Sequence, residues 1–323
     1  MFQTVIRGQA ALGAAASLLV LSGCGGGAKP APAARPGAST VTVTVNRPPP
    51  PPPKPAPPSY PRLLAPAIGS QPTRGFAPAI SWRGQTAAWI SRSASGVTLV
   101  SFAQRLLALH LHAGTADEGE GGWRYGAAVS RGELPRIVAA FNGGFKFSTN
   151  PGGFESYGRT AVPLRSGLGS VVTYADGVTN IGSWNQEVPS RGRAVVSVRQ
   201  NLPLLIDHGR AAATIGCVSC WGATLGGVLD PARSALGIAA GGRLVWAGGE
   251  HLTISALTDA LLGAHVLRAV ELDINPEWVA AYLYRRQSTH DVPAAVPVVP
   301  GQQGIAGQFL VPWSRDFFTI VAR

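Results

Sequence analysis

Ala269-Val-Glu-Leu-Asp-Ile-Asn275, closed by Pro276, is the stretch around which the rest of the chain is read. In a strand, side chains alternate, so Val270, Leu272 and Ile274 fall on one face and Glu271, Asp273 and Asn275 on the other. Two carboxylates on one face are costly to bury; the face is either solvated or part of a site. Pro276 lacks the N–H that a ladder needs, which sets the polar face at a strand end. Just upstream, Ala256 to Ala264 carries Leu257, Leu261 and Leu262 at helical spacing, with Thr253 or Ser255 as its cap.

Working outward, short apolar segments alternate with glycine turns. Gly96–Phe102, Leu106–His112, Ile137–Phe141, Ser170–Tyr174, Val178–Ile181, Ala194–Val198, Leu236–Ala240 and Arg243–Ala247 all read as strands. Asp176-Gly177 and Gly241-Gly242 supply turns. The expectation is a strand-rich mixed α/β (α+β) domain: a mixed β-sheet flanked by helices, over residues 76–323. About 250 residues can bury one sizeable core.

The N-terminus has another character. Arg7 is the only charged side chain in the first 23 residues, and an apolar run follows from Ala10 to Leu21. That run has the length of a signal-peptide core and is short for a bilayer span. Leu21-Ser22-Gly23-Cys24 resembles a bacterial lipobox, so residues 1–23 read as a lipoprotein signal peptide and Cys24 as the lipidated residue. From Arg47 to Pro61, ten of fifteen residues are proline. Such a run favours polyproline II and builds no core. Residues 24–75 are therefore expected to be a disordered stalk, on the order of 150 Å long if fully extended. The expected location is the extracytoplasmic face of the bacterial plasma membrane.

The formal net charge is +11, and only Lys29, Lys54 and Lys146 are lysines. The arginines are scattered rather than clustered with aromatics, which speaks against a nucleic-acid partner. An anionic envelope or an anionic substrate suits the charge. With Cys24 assigned to lipid, Cys217 and Cys220 remain. In the cytosol this spacing would suit redox chemistry or half a zinc site; outside the cell it suits a small disulfide loop. No zinc motif, phosphate-binding P-loop or nucleophile elbow is present, and no cofactor is called for, with a divalent cation left open. The histidines, including His110 and His112, read as ordinary polar positions.

Three constellations could carry chemistry. Glu271 and Asp273 form the first. Phe141-Asn142-Gly143-Gly144-Phe145 is the second: paired glycines after a buried strand let backbone donors approach an anion or a sugar closely. The third comprises Arg233 and Arg159, whose guanidinium groups match a phosphate bidentately.

In order along the chain, Phe141–Phe145, Leu202–Ile206 with Gly209, Arg233–Ile238 with Gly242, Leu257–Gly263 and Leu272-Asp273 resemble the phosphodiester glycosidases, the family of N-acetylglucosamine-1-phosphodiester α-N-acetylglucosaminidase. The resemblance spans roughly residues 95–285. It implies hydrolysis of a sugar-1-phosphodiester on the sugar side. The family's Leu-Asp-Gly-Gly-Gly-Ser is replaced here by Leu272-Asp-Ile-Asn-Pro-Glu277, followed by Trp278. On this resemblance Asp273 is a catalytic base or nucleophile, Glu271 its partner and Glu250 a candidate acid. Arg233 and Arg159 hold phosphate, and Asn142 orients the sugar or the aspartate. Gly143, Gly144, His251, Asn275 and Trp278 line the substrate. The alternative is a non-catalytic envelope protein that binds wall glycans or anionic polymers through the same cleft.

Overall fold

The computed structural model describes residues 59–64, 69, 71–119, 121–149, 152–222, 227–228 and 230–323. The signal segment, Cys24 and most of the proline tract lie outside them. All the described residues belong to one compact unit, Pro55–Arg323.

The strands run in chain order. The first five are β1 (Arg62–Leu63), β2 (Ala77–Trp82), β3 (Gln85–Arg92), β4 (Thr98–Phe102) and β5 (Leu107–His112). Then come β6 (Ile137–Asn142), β7 (Phe154–Ser156), β8 (Arg159–Val162), β9 (Gly169–Tyr174), β10 (Thr179–Ser183) and β11 (Val195–Gln200). The hairpin β12 (Ile206–Asp207) and β13 (Arg210–Ala211) precedes β14 (Arg233–Ala239) and β15 (Leu244–Gly249). After α1 (Ile254–Gly263) come β16 (Val266–Glu271), β17 (Ala281–Arg285), β18 (Ala294–Pro297) and β19 (Phe317–Ala322).

These strands form three sheets, in which every strand pair is antiparallel. The largest has the order β1-β2-β3-β4-β15-β14-β16-β12-β13; the others are β18-β17-β6-β19-β5 and β10-β9-β11-β7-β8. The mixed sheet flanked by helices is thus corrected to antiparallel sheets with α1 as the one α-helix among the described residues. The reason lies in what covers the faces. Val100, Phe102, Trp246 and Val270 of the large sheet share one core with Leu109, Phe141, Leu283 and Phe318 of the second and Phe154 and Val171 of the third. Each such side chain, fully buried, is worth about 1.5–3 kcal/mol. Sheet covers sheet, so helices are needed only on one outer face.

α1 covers that face. Its Leu257 and Leu261 pack on Leu99, Val245, Ala247 and Ala269. β4 and β15 are consequently buried on both sides: Leu244 and Trp246 point into the inter-sheet core, Val245 and Ala247 under the helix. Thr253 is the cap, its hydroxyl accepting from Ala256 N at 3.1 Å. The domain reaches N-terminal of residue 76: Arg62 and Leu63 pair with Ser81 and Ile80 inside the stretch assigned to the stalk. No helix among the described residues is long and apolar enough to cross a membrane.

Candidate functional site

The informative strand stops sooner than alternation predicts. β16 ends at Glu271 rather than Asn275. Asp273 N turns instead to Gly143 O, at 2.9 Å, and Gly143 N donates to Asp316 O at 3.0 Å. The chain thereby crosses from the large sheet to the end of β6, beside the start of β19. Asn142 supports the crossing: its side-chain amide donates to Ser234 Oγ at 2.9 Å, and Ser234 Oγ donates to Asp273 O at 3.0 Å. Asn275, at φ +88°, then turns the chain back. Asparagine tolerates this left-handed region better than most residues, which lets it stand where the resembled motif has glycine.

The paired glycines do receive an anion, and it is an internal one. Gly144 N donates to Asp316 Oδ2 at 3.0 Å. Arg199 grips the same carboxylate with Nε at 2.8 Å and Nη2 at 3.3 Å, and gives further hydrogen bonds to Phe145 O and Gln200 O. A Cβ on Gly143 would lie 2.0 Å from Asp316 Oδ2, and one on Gly144 2.6 Å from Arg199 Cζ. Burial of Arg199 lowers its proton affinity, but the Asp316 charge outweighs that and raises it. The pair forms a buried floor beneath Asp273.

Above that floor, Asp273 Oδ1 accepts Ile274 N at 2.9 Å, and Oδ2 lies 3.2 Å from Arg315 Nη2. Burial pushes the Asp273 carboxyl up to about 7, against the pull of Arg315 and the Ile274 N–H. Arg315 donates to Gly144 O at 3.0 Å, and its Nε is 3.6 Å from Asp117 Oδ2. Its buried Nε and Nη1 have no hydrogen-bond partner among the described residues. Paired with two carboxylates, the guanidinium still keeps donors to spare for a further acceptor. Trp278 lies between cations, with Arg315 Cζ 5.4 Å and Lys146 Nζ 5.2 Å from its ring centroid. Lys146 is exposed, Trp278 half-buried and Arg315 buried, so the three lead inward from the surface to Asp273.

The remaining predicted residues are dispersed. Glu271 does not act with Asp273; it is fully buried, 2.6 Å from Arg233 Nη1. Arg233 also donates to Trp221 O and Leu252 O, so its fork is committed to the fold rather than to a phosphate. Ala235 of β14 sits opposite Glu271 in the sheet, which brings the Arg233 and Glu271 side chains to one face. Burial pushes Glu271 up to about 8, opposed by Arg233. Glu250 follows β15, with β14 standing between it and β16, about 10 Å away at ordinary strand spacing. Its carboxyl is raised by burial, with His251 acting the other way. His251 is exposed. Arg159 lies over Trp123, at 4.3 Å, apart from Asp273. Cys217 and Cys220 form a disulfide.

The sequence reading missed Arg199, Arg315, Asp316 and Glu118. A signal existed for the first three: an arginine inside the apolar strand Val-Val-Ser-Val-Arg-Gln, and Arg315-Asp316 directly before the apolar Phe317–Ala322. Glu118 sits in a glycine-rich loop that reads as surface. It is buried, accepts Gly114 N at 2.8 Å through Oε2, and leaves Oε1 without a partner among the described residues. Burial first, and then the Asp316 charge, pushes it up to about 8. The Asp316 and Arg199 charges bear on Asp273 as well.

Two further clusters lie apart from this site. His110 and His112 both hold buried Glu133, at 2.8 and 3.1 Å. Burial pushes Glu133 up, yet these hydrogen bonds hold it well below the usual carboxylate range. Glu187, Asp207 and His208 bring ligand atoms within 4.8 Å of one another and have the chemistry to hold a cation.

No family model and no curated protein matches the chain. Among solved structures, it is similar to the catalytic domain of zebrafish N-acetylglucosamine-1-phosphodiester alpha-N-acetylglucosaminidase, auto-inhibited by its pro-peptide. That match has 15% identity and a TM-score of 0.42, over 80% of this chain and 85% of that one. It is also similar to a hypothetical protein from Synechocystis, at 12% identity and a TM-score of 0.40, over 74% of this chain and 63% of the other. These are loose likenesses of architecture, and neither bears on the chemistry of the site.

Proposed function

We propose that this chain is an exported, lipid-anchored hydrolase that cleaves a sugar-1-phosphodiester of the cell envelope on the glycosidic side. The observation that carries the reading is Asp273, a buried carboxyl set against Arg315, whose Nε and Nη1 make no hydrogen bond among the described residues and whose guanidinium lies by Trp278. An aromatic face suits a sugar ring, and a guanidinium suits the phosphate. In the reaction, the bond between C1 and the phosphate oxygen breaks and C1 gains an oxygen from water. Asp273, ionised, takes the water's proton or attacks C1 itself. The departing phosphomonoester is held by Arg315, whose fixed positive charge stabilises the charge that develops on it. Glu118, which keeps its proton at neutral pH, is the carboxyl suited to return one to the leaving oxygen.

The test is release of free sugar and phosphomonoester from synthetic sugar-1-phosphodiesters by the purified protein. No turnover across pH 5–9, with or without divalent cations, would sink the catalytic reading. Anchoring through Cys24 rests on the lipobox-like Leu21–Cys24. It is tested by lipid labelling and fractionation: Cys24→Ser is expected to leave the protein unlabelled and released from membranes.

A further inference from the structure

The strand registers give the two larger sheets two ends, and the ends differ in charge. β6 finishes at Asn142, β16 at Glu271, and β19 begins at Phe317 opposite Asn142, so these termini gather around Asp273. The other end holds the start of β6, the finish of β19, and the turns β2–β3, β4–β5 and β14–β15: Ala322 pairs with Leu107, Trp82 with Gln85, and Leu244 with Phe102. About 17 Å of β6 separates Ile137 at this end from Asn142 at the first.

Arginines line this second end. Arg83 makes the β2–β3 turn, its guanidinium 5.2 Å from the Trp82 ring. Trp82 donates its indole N–H to Arg323 O at 3.1 Å, which ties that turn to the end of β19. Arg105, between β4 and β5, donates to Gln85 Oε1. Its neighbour Gln104 donates to Gly242 O at 2.7 Å and so holds the turn that carries Arg243. Arg136 donates to Ala322 O at 3.3 Å. With Arg62 of β1 and Arg285 at the end of β17, these arginines are all exposed. None of them is in an ion pair among the described residues. Of the nearby carboxylates, Asp176 is taken by Arg193 at 2.5 Å, and Asp291 accepts from Ser288 and bears on Arg286. Asp207 stands towards the far edge of the large sheet, in β12.

The chain enters the fold at this same end. β1 is antiparallel to β2, with Arg62 opposite Ser81 and Leu63 opposite Ile80, so the residues before it lead towards Trp82 and Arg83. The Tyr60 hydroxyl donates to Gln287 O, just past Arg285. A surface that holds the N-terminal segment therefore meets these arginines on the shortest tether, with Asp273 on the far side. We infer that this end is an electrostatic docking face for an anionic phospholipid bilayer, the arginine forks taking headgroup phosphates. Guanidinium groups match phosphate oxygens bidentately. Each basic side chain beside an anionic bilayer is worth about fivefold in partitioning. Contact of this kind is screened by salt, so it orients the domain without replacing an anchor, and a salt wash still releases Cys24→Ser. The inference is independent of the reaction proposed at Asp273 and takes from the proposed anchoring only that a membrane is at hand.

The experiment is vesicle co-sedimentation of the purified full chain carrying Cys24→Ser. Vesicles of phosphatidylcholine alone give the baseline set by the apolar N-terminal run. The probe is vesicles of phosphatidylcholine and phosphatidylglycerol in equal parts. At about 0.05 M salt these are expected to bind on the order of a hundredfold more tightly than the baseline, and the margin to vanish at about 0.5 M. Arg83→Gln, Arg105→Gln and Arg243→Gln together are expected to erase most of that margin, and lysine at the same positions to keep it within about threefold. Circular dichroism checks the fold. Arg62→Gln with Arg285→Gln, expected to weaken anionic binding about twentyfold, carries the test if the triple variant unfolds. Equal binding of both vesicles, a margin that survives the higher salt, or one unchanged by the glutamine variants would overturn the docking face. Binding of long-chain polyphosphate without binding of anionic vesicles would reassign the arginines to a soluble polyanion and overturn membrane docking. Anionic binding by a chain that turns over no sugar-1-phosphodiester sinks the catalytic reading and leaves the docking face standing.

Discussion

Replacing Gly143 by alanine tests the buried floor of the site. The new Cβ would lie 2.0 Å from Asp316 Oδ2, 2.5 Å from its Cγ and 2.7 Å from its carbonyl oxygen. Real Cβ atoms keep beyond 3.0 Å, so Asp316 or the turn must move by at least 1 Å. Such a shift breaks the 2.8 Å contact to Arg199 Nε and the 3.0 Å contact from Gly144 N. The Arg199 guanidinium then stays buried without its counter-charge, a loss of about 3–5 kcal/mol. For a domain of this size each kcal/mol moves Tm by about 2–4 °C, so a fall of about 6–20 °C is expected. The assay is thermal and urea unfolding followed by circular dichroism. Gly263→Ala is the control: in α1, with nothing within 4 Å of its Cβ, it is expected to gain about 0.4–1 kcal/mol. A Gly143→Ala protein that melts within about 2 °C of its parent would refute the reasoning.

Further outcomes follow from the same contacts. Asp273→Asn is expected to lower kcat by about 10²–10⁴-fold; unchanged steady-state turnover would exclude Asp273 from the chemistry. With Asp273 raised to about 7 and Glu118 to about 8, kcat/KM should rise through pH 7 and fall above pH 8; a flat profile over pH 6–9 contradicts these roles. Native Glu271 holds its proton up to about 8, whereas the unfolded chain releases it near 4.5. Its contribution to stability is therefore full below about pH 4.5 and is lost as pH rises towards 8. Glu271→Gln should flatten the fall in urea midpoint between pH 5 and 8, and an unaltered slope counts against this. Removing the Cys217–Cys220 disulfide by double serine substitution should cost only about 2 kcal/mol, because a four-residue ring restrains little of the unfolded chain; loss of folding would show that the bond does more.

Most strands were legible because antiparallel strands between two cores announce themselves by short apolar runs and glycine turns. The end of β16 was not, because alternation cannot foresee that Asp273 N leaves its own sheet for Gly143 O. The glycine pair was read as room for a bound anion or a sugar, and the sequence could not show that the Asp316 carboxylate, from far along the chain, takes the Gly144 N–H. Arg233 looked like a phosphate ligand for the same reason: nothing local shows that Glu271, Trp221 O and Leu252 O will take up its donors. Trp278 drew notice because it lies five residues after the aspartate on the same segment. Its neighbour Arg315 was missed because a charged residue before a terminal strand looks like ordinary surface.

β19 lies in the middle of its sheet, between β6 and β5. Until it arrives, that sheet exists as two unjoined pieces, and the residues that build the floor under Asp273 are absent. Gly144 and Asp316 meet across 172 residues of sequence. Closure at such separation is slow, because loop entropy is lost before contacts compensate for it. The second sheet and the aspartate's surroundings thus depend on the same strand, and a chain that still lacks it holds Asp273 without the arginine that directs it.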